Sequence, residues 1–527
     1  MVHITAEELA ARQREISVSE FFEKNKHLLG FDNPTKALLI VVKEAVDNSI
    51  DACTEAGILP ELKVDVKQVD EEVYRITVED NGPGLPAHAI PKTFGKFLYG
   101  SKFHRLCQAR GQQGIGIKGS ILYAQLTTAK PVNIWSKTKN QKKTVFTKLK
   151  IDVTKNEPVV LEQKYIEDRN SIKEHGIRIQ LEVVGRYRKA KGIDDYLLQT
   201  AIANPFVKII YTSPEGSKTV IERAVNELPK LPKEIKPHPY GVELGFFLRM
   251  LLTTKAKSVL TFLTNEFSSV GATTAKRACE KAKIKPSARP QDIDERSAEK
   301  LLKALQSLDI QRPSLDCLSP IGSDAFENGL KKMFPNAEFI AAHTREPNVY
   351  RGNPFQVESA IVYDPESFKT QEQAKLMRFA NRAPLLYQQS ACALYKAATM
   401  LDWRRYGLQH SKGSLPVGPC LIAIHLCSVW VPFVSEGKEA IASYPIILKE
   451  IKLCLQQVAR KLSIYLSGKR RMHMEKRRIE IFQRYAGEVS DALSKLAEVD
   501  KKRVEQSVMK LIETRGKRFS QEKENKD

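Results

Sequence analysis

Residues 37–54 read ALLIVVKEAVDNSIDACT, a run with helical periodicity from end to end. Leu39, Val42, Val46, Ile50 and Cys53 recur at intervals of three and four, so a helix gathers them into one apolar stripe. Glu44, Asp47, Asn48 and Asp51 fall together on another face, because residues three and four apart are neighbours on a helix. The ordinary meaning of such a cluster is a solvated acidic face. Asn, however, is a poor interior helix residue, and its place among carboxylates points to a polar task.

Further along, residues 79–85 read EDNGPGL. The alternation at Val73–Val78 predicts a strand that delivers Asp80 to its end, after which Gly82 and Gly84 let the chain turn and approach a ligand closely. A carboxylate held there can accept a hydrogen bond from an exocyclic amino group such as adenine's; taken alone, the same residues also make a tight turn. A third stretch, residues 109–120, reads ARGQQGIGIKGS. Backbone N–H groups of a Gly-rich loop that opens a helix can cradle phosphates. Gly114, Gly116 and Gly119 formally satisfy G-x-G-x-x-G, but a charged loop precedes them where the dinucleotide fold needs a strand, and no βαβ unit starts there. A Walker A loop is excluded as well, since Ile117 separates Gly116 from Lys118.

The chain has 527 residues, enough for about three or four domains. Its 42% hydrophobic and 28% charged residues are a globular balance, which excludes a disordered or fibrous chain. Lys and Arg number 84 against 62 Asp and Glu, a formal charge of +22 that suits a polyanionic partner, nucleic acid before an anionic membrane. The eight cysteines are scattered without a C-x-x-C pair, so free buried thiols in a reducing compartment are expected and a zinc knuckle is not. The N-terminus is charged and lacks an apolar signal core. The longest apolar run, within Cys420–Val434, is shorter than the roughly 20 residues of a spanning helix and contains His425 and Pro432; it reads as a buried strand. The expectation is a cytoplasmic, nucleoid-associated protein with no membrane partner.

Four zones follow. Residues 1–228 mix helix with alternating strands. Residues 229–310 begin in a proline-rich linker and continue all-helical. Residues 311–466 return to helix and strand, with strand-like Ala360–Tyr363 and Leu421–Ile424. Residues 467–527 are highly charged, and Phe482, Tyr485, Val489, Leu493 and Leu496 mark an amphipathic helix.

The order of E-x-x-x-N on a helix, then D-x-G-x-G, then a Gly-rich lid resembles the GHKL ATPases, the superfamily of gyrase-type topoisomerases, heat-shock chaperones, mismatch-repair ATPases and histidine kinases. KEAVDNSIDA, EDNGPGL, GQQGIGIKGS, the helical insert and VPFVSEGKEAIA at 431–442 together resemble the B-subunit family of archaeal type IIB topoisomerases, over nearly the whole chain. The resemblance implies an α+β protein: a Bergerat-type GHKL ATPase domain (1–228), a helix–two-turn–helix domain (229–310), a ribosomal-protein-like transducer domain (311–466) and a C-terminal helical stalk that binds a partner (467–527). It implies ATP and Mg²⁺ as cofactors. Glu44 matches the general base, Asn48 the Mg²⁺ ligand and Asp80 the adenine-binding carboxylate. Gly82 and Gly84 match the pocket floor, Ser101 and Lys102 further nucleotide contacts. Gly111, Gln112, Gln113, Gly114, Ile115, Gly116, Ile117 and Lys118 match the lid over the triphosphate, and Lys438 the transducer lysine at the γ-phosphate.

Trp403-Arg404-Arg405-Tyr406 is similar to a W-K-x-Y element, and Arg515-Gly516-Lys517-Arg518-Phe519 to a K-G-R-R-F loop, both DNA-contacting in the family; here Arg replaces Lys in the first and the basic residues of the second are permuted. The resemblance also implies ATP-dependent homodimerisation, double-stranded DNA as partner, and an A subunit carrying the catalytic tyrosine in a heterotetramer with two copies of each polypeptide. The alternatives are another GHKL ATPase of mismatch-repair type, which lacks the helical insert, and a B-like scaffold that hydrolyses nothing. Asp292-Ile293-Asp294 is the only D-x-D and lies in the helical insert, away from any expected strand, so DNA cleavage is expected to need the second polypeptide.

Overall fold

The computed structural model describes residues 10, 13, 15–102, 105–111, 114–169, 171–435 and 437–511. These fall into two compact units: one runs to Asp402 and resumes over His410–Val458, and the other comprises Trp403–Gln409 and the chain from Ala459 onward.

In the first unit, helix α1 (Val18–Lys24) precedes the long helix α2 (Pro34–Glu55). Asn33 caps α2 by accepting from the Thr35 N–H at 2.9 Å, and Pro34 opens it where its missing N–H costs nothing. The expected stripe is buried, and Leu38, Val41 and Ala45 widen it. The stripe packs on an eight-stranded sheet of order β5-β4-β3-β6-β2-β1-β7-β8. Its strands are β1 (Glu61–Asp70), β2 (Val73–Asp80), β3 (Val132–Lys137), β4 (Thr144–Asp152), β5 (Glu157–Ile166), β6 (Gly176–Val184), β7 (Lys208–Thr212) and β8 (Lys218–Ile221). β1 pairs β7 in parallel; the other described neighbours in this sheet are antiparallel. Helices α3 (Ile90–Gly95), α4 (Gly116–Thr128) and α5 (Ile193–Ala203) complete this part, and α2, α4 and α5 share its apolar core. In β2, Tyr74, Ile76, Val78 and Asp80 are buried in turn. The period of two therefore carries Asp80 to the face that lies under α2.

Residues 222–238 form no helix or strand. The next four helices, α6 (Leu244–Thr253), α7 (Val259–Glu266), α8 (Ala272–Ala282) and α9 (Glu295–Gln306), close around their own core, in which the Phe247, Phe262 and Phe267 rings lie 5.6–5.9 Å apart. Asp292 ends a short 3-10 turn and Asp294 stands at the N-cap of α9, so neither is on a strand.

A second sheet has the order β10-β11-β14-β12-β13, with β9 pairing β11. Its strands are β9 (Phe339–Thr344), β10 (Asn348–Tyr350), β11 (Asn353–Tyr363), β12 (Lys375–Ala380), β13 (Ala383–Pro384) and β14 (Cys420–Ser428). All nine residues of β14 are buried, as its apolar run foretells. Helix α10 (Ser323–Met333) covers one face through Phe326 and Leu330. α11 (Ala393–Met400) follows β13.

Helix α12 spans Pro445–Ala497 and thus begins well before residue 467. Ile447, Ile451, Leu455 and Val458, all buried, recur at spacings of three and four, and no proline follows Pro445 within the helix. Within the second unit Phe482, Tyr485, Val489, Leu493 and Leu496 lie exposed along it. Residues 501–511 are helical again. All eight cysteines are free thiols. Among the described residues no helix is long and apolar enough to cross a membrane.

Candidate functional site

A cavity of about 410 Å³ opens between α2, the end of β2 and the segment before α4. Glu44, Asn48, Asp80, Gly84, Ser101, Lys102, Gly111, Gly114, Ile115, Gly116, Ile117, Lys118 and Lys438 all line it. Gly82 stands just behind, its N–H donating to Asp80 Oδ1 at 2.9 Å. Gln112 and Gln113 lie outside the described residues.

Asp80 is held from three sides. Its Oδ2 accepts from Ser49 Oγ at 2.8 Å, and its Oδ1 from the Gly82 and Ile177 N–H groups at 2.9 and 3.1 Å. Burial nevertheless pushes its pKa above the ordinary value. The result is a fixed acceptor on the cavity wall, suited to an amino group. Gly84 has φ +72°, and a Cβ there would run into the Lys137 carbonyl, so this turn requires glycine.

On α2, Lys43 ties down the acidic face. Its ammonium reaches Asp47 Oδ2 at 2.9 Å and Glu44 Oε1 at 3.3 Å, while the buried Tyr196 hydroxyl donates to Asp47 Oδ1 at 3.0 Å. Burial works against the Lys43 charge, but Asp47 and Glu44 outweigh it and raise its pKa. The Glu44 carboxylate lies where a Cβ on Gly116 would sit, so glycine at the start of α4 is what admits it. One turn beyond Glu44, the exposed Asn48 faces the same cavity. Among the described residues no three His, Cys, Asp or Glu side chains gather as a metal cage. A carboxamide oxygen beside a carboxylate fits a hard cation that takes its remaining ligands from phosphate and water, which is how Mg²⁺ is usually held.

The lid segment ends in Gly114, at φ +59°, and the N-terminus of α4. Lys118 on α4 folds back, donating to the Tyr99 carbonyl and to Gly114 O at 3.0 Å. Burial lowers its pKa to about 8. Lys102 pairs with Asp51 at 2.8 Å and with Glu55 at 3.0 Å. Arg110 pairs with the same Asp51, whose carboxyl, despite burial, is held below the usual range by these two cations. Lys438 arrives from the loop after β14, and its Nζ donates to the Arg110 carbonyl at 3.4 Å.

Residues 33–155 match the family described as Histidine kinase-, DNA gyrase B-, and HSP90-like ATPase, and residues 313–478 match Topoisomerase VI B subunit, transducer. The B subunit of type 2 DNA topoisomerase 6 from Archaeoglobus fulgidus is 45% identical over 465 residues, covering 88% of this chain and 76% of that protein. Its counterpart from Methanosarcina barkeri is 45% identical over 475 residues, covering 90% and 75%, and that from Saccharolobus islandicus 38% identical over 493, covering 92% and 91%. The chain belongs to the family of type 2 DNA topoisomerase 6 B subunits. Strands β1 to β4 of its first sheet fall within the GHKL ATPase match, and its second sheet falls within the transducer match.

Other residues expected to serve a topoisomerase of this family lie elsewhere. Trp403-Arg404-Arg405-Tyr406 forms a 3-10 turn in the second unit. Trp403 is fully buried, its ring 6.5 Å from that of Tyr406, so it packs, and Arg404 and Arg405 are the exposed pair. Arg515, Lys517 and Arg518 lie outside the described residues. Lys43, Ser49, Arg110 and Tyr196 also belong to the site, through contacts that no motif marks. Arg110 stands inside a quoted motif, but its partners come from distant segments. Asn381 and Arg382 form a two-residue turn whose Asn381 reaches the Ala109 carbonyl, yet Asn-Arg is not one of the glycine-bearing pairs that signal such a turn in a sequence.

Proposed function

We propose that this chain is the ATP-binding and ATP-hydrolysing subunit of a type IIB topoisomerase. In this reading Asp80 takes the adenine amino group, the segment from Gly111 to Lys118 closes over the triphosphate, and Ser101 and Lys102 line the nucleotide. Glu44 accepts the proton of the attacking water. Lys43 keeps that carboxylate in place. Mg²⁺, held by Asn48, would neutralise phosphate charge and polarise the transferred group. Lys438 senses the γ-phosphate and couples the nucleotide to the transducer.

The observation that carries this reading is the convergence on one cavity of Glu44 and Asn48 from α2, Asp80 from β2 and Lys438 from the loop after β14. Two such chains close over ATP and trap a duplex, and hydrolysis resets the clamp. The domains are those read from the sequence: ATPase at 1–228, helix–two-turn–helix at 229–310, transducer at 311–466 and stalk at 467–527. A second polypeptide, which carries the catalytic tyrosine, cleaves the DNA in a heterotetramer with two copies of each, and strand passage relaxes supercoils and decatenates duplexes.

Glu44→Ala tests the role split. It is expected to bind a non-hydrolysable ATP analogue normally and to lose about 10²–10⁴-fold in turnover. Asn48→Ala should weaken Mg·ATP binding as well. Normal turnover by Glu44→Ala removes the base assignment.

A further inference from the structure

Just before the glycine lid, the segment Gln108–Arg110 is stitched into both halves of the first unit. The Gln108 N–H donates to Cys317 O at 3.0 Å. Its buried side chain forms a pair of hydrogen bonds with the Ser319 backbone: Oε1 accepts from the Ser319 N–H at 2.7 Å, and Nε2 donates to Ser319 O at 3.0 Å. The Ala109 carbonyl accepts from Asn381 Nδ2 at 2.9 Å. The Arg110 carbonyl takes the Lys438 ammonium. The Arg110 guanidinium is shared: one arm pairs with Asp51 on α2, the other donates to Asn204 Oδ1 at the end of α5. Asn204 in turn donates to Arg382 O at 3.1 Å.

Asn381 and Arg382 form the two-residue turn between β12 and β13, with φ +47° and +65°. Non-glycine residues hold two successive left-handed conformations only where the surroundings over-determine them. Here they do. Asn381 is bonded to Ala109 O and, through both ends of its carboxamide, to Ser428. The Arg382 N–H donates to His425 Nε2, and its guanidinium to Ser319 and Pro320 carbonyls. Gln108, Asn204, Ser319, Asn381 and Arg382 are all buried, so this is an interior polar network, the kind whose members hold one geometry.

We propose that Arg110 is a positioning residue of the ATPase reaction: by spanning Asp51 and Asn204 it fixes the carbonyl that holds the Lys438 ammonium, and so sets where that ammonium stands when it moves to phosphate. This rests on the reading of Lys438 as the γ-phosphate lysine. The planar fork of arginine can serve two acceptors in fixed directions, which a lysine at 110 cannot. The contact of Lys438 Nζ with the Arg110 carbonyl, at 3.4 Å, is long for a hydrogen bond. The Asn381-Arg382 turn is the other anchor, and it ties the same segment to the transducer sheet.

The test uses the full chain and a double-mutant cycle: Arg110→Gln, Lys438→Ala, and both together, with steady-state ATP hydrolysis and the affinity for a non-hydrolysable analogue measured for each. Arg110→Gln is expected to lower kcat about 10- to 100-fold, the scale of a misplaced catalytic group, with analogue affinity within about threefold of wild type, a kcat-only loss. Arg110→Lys should fall between. The double variant should be no slower than Lys438→Ala alone, because Arg110 acts through that lysine. A double variant slowed by the product of the single effects overturns the proposal and leaves the Lys438 reading intact. Lys438→Ala hydrolysing at the wild-type rate removes the Lys438 reading and this proposal with it. Should Arg110→Gln not be recovered folded, Asp51→Asn keeps the side-chain shape and removes the charge that Arg110 and Lys102 share; compared with Lys102→Gln, which loses the second pair alone, it is held to the same non-additivity.

Discussion

Among the described residues Lys118 meets neutral carbonyl oxygens, those of Tyr99 and Gly114, and burial brings its pKa to about 8. A triphosphate in the cavity supplies the missing negative charge and raises that pKa again. Nucleotide binding therefore takes up a proton once the pH exceeds about 8. The sign is fixed: affinity is flat in this respect below that pH and falls above it, by up to about tenfold per unit. Calorimetric titration of a non-hydrolysable analogue at pH 7, 8 and 9, in buffers of different ionisation heat, checks it. Lys118→Arg is expected to flatten the dependence, and proton uptake that persists in that variant would assign it to another group. Lys118 stands inside GQQGIGIKGS, and its place on the cavity wall agrees with the resemblance that this motif carries with the others. Its titration was not legible there, since that depends on how deeply the fold buries the ammonium.

At the scale of an element, β14 shows how a strand hides a polar pair. Glu358 of β11 lies opposite His425 of β14 in the antiparallel register, and both are fully buried. His425 Nε2 accepts from the Arg382 N–H, so the proton sits on Nδ1, which donates to Glu358 Oε2 at 2.7 Å. Glu358 also accepts from the Ile321 and Gly322 N–H groups at 2.7 Å and from Thr344 Oγ1 at 2.8 Å. Burial opposes its charge, but these donors hold its pKa below the ordinary value; burial likewise holds His425 below its own, as a neutral imidazole. Both groups are thus lowered in the folded protein, so the unfolded chain binds more protons in acid. Stability from His425 is present above its unfolded value of 6.5 and is lost as pH falls below it; that from Glu358 is lost below 4.5. The unfolding free energy should fall between pH 7 and pH 5, with a slope of up to about 1.4 kcal/mol per unit. His425→Asn should be less stable at pH 7 yet flatter over that range; an equally steep profile would place the titration elsewhere. The apolar run foretold a buried strand, but the place of His425 within it depends on a partner 67 residues earlier.

Across the whole molecule, two features outlast the pocket. The charge of +22 favours a polyanion, and the second unit carries Phe482, Tyr485, Val489 and Leu493 exposed along one helix, each with more than two fifths of its surface open. DNA binding should therefore be sequence-tolerant and steeply salt-dependent. Replacing Arg515, Lys517 and Arg518 together is expected to reduce the slope of log affinity against log salt by about three, near 0.9 for each phosphate left unneutralised. An unchanged slope removes that segment from the DNA path. Addition of a non-hydrolysable ATP analogue should convert the chain from monomer to dimer in sedimentation, while ADP should not; analogue binding without dimerisation would refute the clamp.

The sequence by itself determined the local pieces of this protein. Periodicity gave α2, alternation gave β2 with Asp80 at its end, the glycines marked the turn and lid, and a uniform apolar run marked β14. These depend on residues within one element, where spacing translates directly into facing. The charged composition sets in near residue 467, whereas helical periodicity does not change there and α12 begins already at Pro445. Only the tertiary structure decided that Lys438 Nζ meets the Arg110 carbonyl, that Arg110 bridges Asp51 and Asn204, and that Asn381 and Arg382 sit in a left-handed turn against the segment before α4. Those interactions join segments far apart in the chain, and a hydrogen bond needs two groups within about 3 Å, a condition on folded distance that no local pattern encodes.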